Sequence, residues 1–268
     1  MRVFCSVYAR GLRRYSTYRA ATLAAVLTNS VFGAINAMVL LALFAVRPEI
    51  NGYDASDAIT QVFIGQALIG VSLIIHVSPS LELSERVRSG DVGTDLLRPV
   101  PLLVWWLAQD LGRSTFALLS RAIPTFTVGV LFFDITLPGD ALRPLAVLTS
   151  FVLVALIAFG LRYLYSLAGF WLVDTRGLWI LAGFFAPIAA GMTLPLPLFP
   201  PVLADVLRLL PWASLVQIPT EIYLGKHTLP GGSLLGGLAL QAGWAVALLL
   251  LCAWLTTRAT RKVVVQGG

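Results

Sequence analysis

Asp110 and Arg113 stand three residues apart in a run that is otherwise hydrocarbon, and Arg121 follows two helical turns later. That spacing puts the acid and the first base on one helix face, close enough to neutralise each other. Ionic groups inside an apolar segment are costly and often line a route across a membrane. Arg113, with Arg162 in a later run, reads as a side chain snorkelling toward the headgroups. Arg121 resists that reading. If the span begins near Arg113, Arg121 lies roughly 12 Å deeper at about 1.5 Å per residue, so it must face protein or water. His76 sits in another apolar run, where a lone histidine is either a packed hydrogen-bonding group or a functional one.

Catalytic constellations are thin. The chain has no GxSxG, no HExxH and only two histidines, His76 and His227; serine-type hydrolysis and zinc chemistry each need a fuller set. The nearest approach to a phosphate-binding loop, Gly225-Lys226-His227, lacks the first glycine and the hydroxyl residue of GxxxxGK[ST]. The chain is therefore expected to bind no cofactor and to hydrolyse no ATP by itself. Cys5 and Cys252, one near each end, make no disulfide framework or CxxC site.

The elements that must hold these groups are membrane helices. Of 268 residues, 58% are hydrophobic and 12% charged, about half the charged fraction of an ordinary soluble domain. A net charge of +6 does not point to nucleic acid, because the basic residues sit beside apolar runs and form no continuous polar face. A bilayer core needs about 20 apolar residues per helix. Residues 20–46, 58–81, 102–133, 145–173, 177–192 and 233–256 meet or approach that length, which predicts an all-α integral membrane protein with six transmembrane helices. Residues 1–268 form a single transmembrane domain. Gly232 and Gly236 make a small-xxx-small pattern at the start of the last span, suited to helix packing.

Between spans five and six, residues 193–230 are too apolar for a solvated loop yet are broken by Pro195, Pro197, Pro200, Pro201, Pro211 and Pro219. They read as outer re-entrant helices, tolerated where their ends are buried in protein or line a watery cavity. Residues 1–19 pattern as an interfacial helix with Phe4, Val7, Tyr8, Leu12 and Tyr15 opposite Arg2, Arg10, Arg13 and Arg14, which predicts a helix lying on membrane lipid. With the N-terminus inside, the inner segments hold these arginines, Arg19, Arg86, Arg88, Arg98, Arg176, Arg258, Arg261 and Lys262. The outer segments hold only Arg47, Arg143, Arg208 and Lys226. The positive-inside rule thus predicts both termini in the cytoplasm.

On that side lies "SERVRSGDVGTDLLRPVP", residues 84–101, within a connecting loop at 83–101. Glu82 with Arg86, and Glu85 with Arg88, have the spacing of helical ion pairs. Gly90 supplies a left-handed stop, and Asp91 is a candidate N-cap. Val92, Leu96 and Leu97 are expected on one side of a short helix, and Pro99 ends it by biasing Arg98 away from helical geometry.

"VRSGDVGTDLLRPVP" resembles the cytoplasmic signature of the ABC-2 type permeases, in the branch of six-span bacterial proteins. "LPWASLVQIPTEIYLGK", residues 210–226, is similar to that branch's stretch before the last helix. The resemblance implies the membrane half of a bacterial ABC exporter, in the cytoplasmic (inner) membrane. It implies a second permease subunit, as homodimer or heterodimer with a paralogue, and two copies of an ABC ATPase subunit that binds ATP and Mg. It makes residues 1–19 an elbow helix bracing a lateral gate, and residues 194–223 a hairpin closing the outer side. The 83–101 loop becomes a cytoplasmic coupling helix in which Glu85, Arg86, Arg88, Gly90, Asp91, Leu96, Leu97 and Arg98 dock on the ATPase. The implied cargo is amphipathic. Two other readings stay open: a membrane-embedded enzyme acting on a lipid-linked substrate through Asp110, Arg113 and Arg121, and an ATPase-independent transporter or channel.

Overall fold

A computed structural model describes residues 2–72, 79–140, 142–172, 174–226 and 232–261. Among them the chain is helical, with one isolated antiparallel bridge, Ile50 to Tyr53, and no strands. His76, His227 and Lys262, and the part of the second expected span at 73–78, lie outside the described residues.

Among the described residues, four helices are long and apolar enough to cross a membrane: Arg19–Val46, Leu102–Phe132, Arg143–Phe170 and Leu234–Thr260. The first is α2; the second comprises α6 (Leu102–Ala117), a π-helical turn (Leu118–Ala122) and α7 (Ile123–Phe132). The third is α8 (Arg143–Leu167) extended by a 3₁₀ turn, and the last is α12 (Leu234–Thr260). Two expected spans differ. α3 (Ala55–Ser72) carries Asp57, Thr60, Gln61 and Gln66, all buried within the protein. A helix enclosed by other helices does not need a lipid-compatible surface, so α3 need not be uniformly apolar. α9 (Arg176–Ala189) has 14 residues, about 21 Å of helix against a hydrocarbon core of about 30 Å.

α1 (Arg2–Ser16) has the amphipathic pattern read from the sequence, but its apolar face packs on α6. Two glycines allow this: a Cβ on Gly11 would lie 2.5 Å from the Gln109 carbonyl oxygen, and one on Gly112 would collide with the Tyr8 carbonyl. Tyr8 Oη also donates to Thr115 Oγ1 at 2.9 Å. α8 and α12 approach in the same way at Gly160, whose carbonyl accepts from the Cys252 thiol at 3.4 Å. The π turn has a local cause in Pro124, which has no N–H for the Ser120 carbonyl and so favours a widened turn just before it.

The segment between α9 and α12 folds inward. α10 (Pro201–Leu209) is amphipathic, whereas all eight residues of α11 (Gln217–Leu224) are buried. Gly191, at φ +72°, turns the chain out of α9; a Cβ there would meet Gln217 Oε1 at 2.7 Å.

Candidate functional site

Among the large hydrophobic side chains of the 84–101 segment, Leu97 stands out at 85% exposure, against 36% for Leu96. α4 (Pro79–Ser89) ends at Gly90, whose φ of +84° is the expected left-handed stop. α5 (Val92–Leu96) is held against α4 by Asp95, a residue the sequence reading passed over. Its carboxylate is buried and accepts from Arg86 Nε at 2.6 Å and Nη2 at 2.8 Å, and from Arg98 Nη2 at 2.8 Å. The bidentate geometry is the strong form of an arginine–carboxylate contact. Hydrogen bonding to Asp95 raises the Arg86 pKa above its ordinary value. Arg86 Nη2 further donates to Thr94 Oγ1 at 3.1 Å and the Asp91 carbonyl at 3.3 Å. Arg98 stacks over Trp105 at 4.1 Å.

This corrects four details. Arg86 pairs with Asp95 and not Glu82, which instead takes Arg14 of α1 at 2.8 Å. Glu85 and Arg88 make no ion pair with each other among the described residues; both line a separate cavity. Asp91 has helical backbone angles and its side chain caps nothing; its carboxylate accepts from Ser89 Oγ at 2.8 Å. Val92 does not share a face with Leu97, being 2% exposed in a cluster with Leu83 and Trp106, while Leu96 and Leu97 face outward. Five residues on, Leu97 lies about 140° round the helix from Val92, so Val92 can pack inward while Leu97 points out. Only the i, i+3 spacing of Asp95 and Arg98 was a usable sequence signal for the knot.

The intramembrane groups divide. Asp110 and Arg113 pair at 3.0 Å as their spacing predicts, but Arg162 of α8 joins them, reaching Asp110 Oδ2 at 2.7 Å. Arg162 therefore does not snorkel; it has no exposed surface. Arg113 is likewise buried and turns to protein. Arg113 Nη1 donates to the Gly70 carbonyl and Arg162 Nη1 to the Val71 carbonyl, the latter at 2.7 Å. These carbonyls belong to the last described turn of α3. One carboxylate and two guanidinium groups thus tie α3, α6 and α8 together. Arg121 stands apart on the π turn, half-buried, its Nε without an acceptor among the described residues.

A second buried network, which sequence reading missed, centres on Gln217. Its Oε1 accepts from Gln61 Nε2 at 2.6 Å and the Leu196 N–H at 3.0 Å. Its Nε2 donates to Tyr53 Oη at 3.1 Å and Glu221 Oε1 at 2.8 Å. Beside it, Lys226 pairs with Asp57 and donates to the Gly52 carbonyl at 2.8 Å. Among the described residues, no group of three His, Cys, Asp or Glu side chains is placed to hold a metal ion.

Residues 31–267 match the model of the family described as ABC-2 family transporter protein. The chain belongs to the ABC-2 transporter family. No curated protein matches it. This ABC-2 family protein is thus a multi-pass membrane component of a transporter. The match extends from α2 to beyond α12, so it includes the Asp95 knot, the Asp110 cluster and the Gln217 network in one family domain.

Proposed function

We propose that this chain is the permease subunit of an ATP-driven exporter that moves an amphipathic substrate out of the cytoplasm or inner leaflet. Two permease subunits, identical or paralogous, work with two copies of a separate ATPase that holds ATP and Mg. The chain sits in a bacterial inner membrane with both termini cytoplasmic; α3 and α9 complete six spans, and α1 is the elbow helix. α4 and α5 form the coupling element, while α10 and α11 close the outer side. Arg121, half-buried at mid-span, faces the translocation route.

One observation carries the reading: Leu97, 85% exposed, projects from a segment that Asp95 holds rigid from within. An apolar side chain presented on a braced element suits a partner groove, where a few buried anchors supply most of the affinity. The enzyme reading is weaker, because Asp110 is enclosed and its carboxylate is taken by two arginines.

The test is Leu97→Asp. It should abolish co-purification of the ATPase partner and substrate export while leaving the size-exclusion profile of the permease unchanged. Full association and export in that variant would remove the coupling role from this segment.

A further inference from the structure

A cavity of about 510 Å³ opens between α4 and the start of α9, at the same end of the molecule as the 84–101 segment. Two guanidinium groups, Arg88 and Arg176, and two carboxylates, Glu85 and Asp174, line it. None of the four makes a side-chain ion pair among the described residues. Asp174 only accepts the Arg176 backbone N–H, at 2.8 Å. The cavity is not a chance gap between loose segments, since Ser84 Oγ and Thr175 Oγ1 hydrogen-bond at 2.9 Å across its two sides. The rest of the wall is apolar. Trp179 is braced edge-on by Tyr165 at 5.8 Å, and Phe184, 74% exposed, continues the wall along the outer face of α9.

The chemistry of the lining specifies an occupant with three parts. Guanidinium groups bind phosphate oxygens with directed, charge-assisted bonds. Carboxylates beside them make an ammonium group welcome and remove any excess attraction for a purely anionic head. A tryptophan at the polar boundary, followed by an exposed phenylalanine on a membrane protein, fits the start of an acyl chain. We propose that the α4–α9 cavity binds a zwitterionic phospholipid, its phosphate between Arg88 and Arg176, its ammonium at Glu85 and Asp174, and its tail along Trp179 and Phe184. This assigns Glu85 and Arg88 to lipid instead of the ATPase, and it holds whichever substrate is exported.

The test uses the full-length protein in detergent, incubated with equal amounts of phosphatidylethanolamine, phosphatidylglycerol and diacylglycerol and read by native mass spectrometry. Phosphatidylethanolamine should be retained in preference to both others. Retention should fall about tenfold in Arg88→Gln/Arg176→Gln, as expected for loss of the charge-assisted contacts. It should fall similarly in Gly183→Trp, which fills the cavity from a position where an added Cβ meets no heavy atom within 4 Å. Glycerophosphoethanolamine and inorganic phosphate, which lack tails, should not displace the lipid at equal concentration. Equal retention of all three lipids, or undiminished retention in the variants, would overturn the proposal. So would displacement by either soluble competitor, which would mark a polar anion site. If the double arginine variant aggregates on size exclusion, Gly183→Trp decides by itself.

Discussion

The guanidinium of Arg162 on α8 meets the carboxylate of Asp110 on α6 at 2.7 Å, and neither side chain has any exposed surface. Arg113 takes the other oxygen of the same carboxylate, at 3.0 Å, and both arginines hold carbonyls of the last turn of α3. A single carboxylate therefore sets the relative position of three helices. Buried charges of this kind depend on their partners, and removing one leaves the others uncompensated.

Asp110→Asn keeps the side-chain volume and removes the counter-charge of two arginines. Breaking a buried pair on one side costs about 3–5 kcal/mol, so thermal unfolding in a fixed detergent should show a large drop in Tm. Combining Asp110→Asn with Arg162→Gln should cost less than the sum of the single losses. Strictly additive losses would sink the idea that the two act as one unit.

Gly112→Leu should displace α1 from α6, because even a Cβ at that position collides with the Tyr8 carbonyl. Limited proteolysis within residues 1–18 should accelerate. Gly177→Leu is the control, since a Cβ at Gly177 finds open space. Equal protection of α1 in both variants would contradict the close crossing.

Asp95→Ala and Leu97→Asp should fail in different ways. Removing the Asp95 carboxylate leaves Arg86 and Arg98 without their shared anchor, so the 84–101 segment should lose amide protection in hydrogen exchange. Leu97→Asp should leave that protection intact and affect only the partner. The same geometry makes Arg98→Glu a poor probe of docking, because it would set a second carboxylate against buried Asp95. Identical exchange profiles for all three variants would contradict the separation of brace from contact.

Gln217→Leu should destabilise the outer end of the molecule. Leucine removes the acceptor of the Leu196 N–H, one of the two acceptors of the Gln61 amide, which keeps the Gly191 carbonyl, and the amide donor to Tyr53 and Glu221. Each buried polar group left unsatisfied costs about 1–3 kcal/mol. A Tm within 1 °C of the parent protein would be incompatible with that account.

Much of the architecture was legible as hydropathy. The four long spans, the amphipathic α1, the left-handed Gly90 and the i, i+3 pairing of Asp110 with Arg113 all depend on local pattern or spacing, and each appears in the structure. The misses share a cause as well. Arg86 chooses Asp95 over Glu82, nine residues away and not four, because a chain reversal at Gly90 brings α5 back onto α4. Arg162 is a partner of Asp110 across 52 residues of sequence, and Gln217 of Gln61 across 156. Periodicity carries no trace of contacts that depend on how two separate helices cross.

By itself the sequence determined what each segment can be: which runs are apolar enough for lipid, which ends carry positive charge, and where glycine or proline stops a helix. These follow from transfer energies and backbone sterics, which act on a few neighbouring residues at a time. Tertiary structure alone decided which face of α1 is covered, that α3 is enclosed enough to tolerate five buried polar side chains, and which of Val92 and Leu97 points outward. It also decided whether a buried arginine finds a carboxylate or must reach for the headgroups, because desolvation and pairing depend on what stands opposite a side chain once the helices have packed.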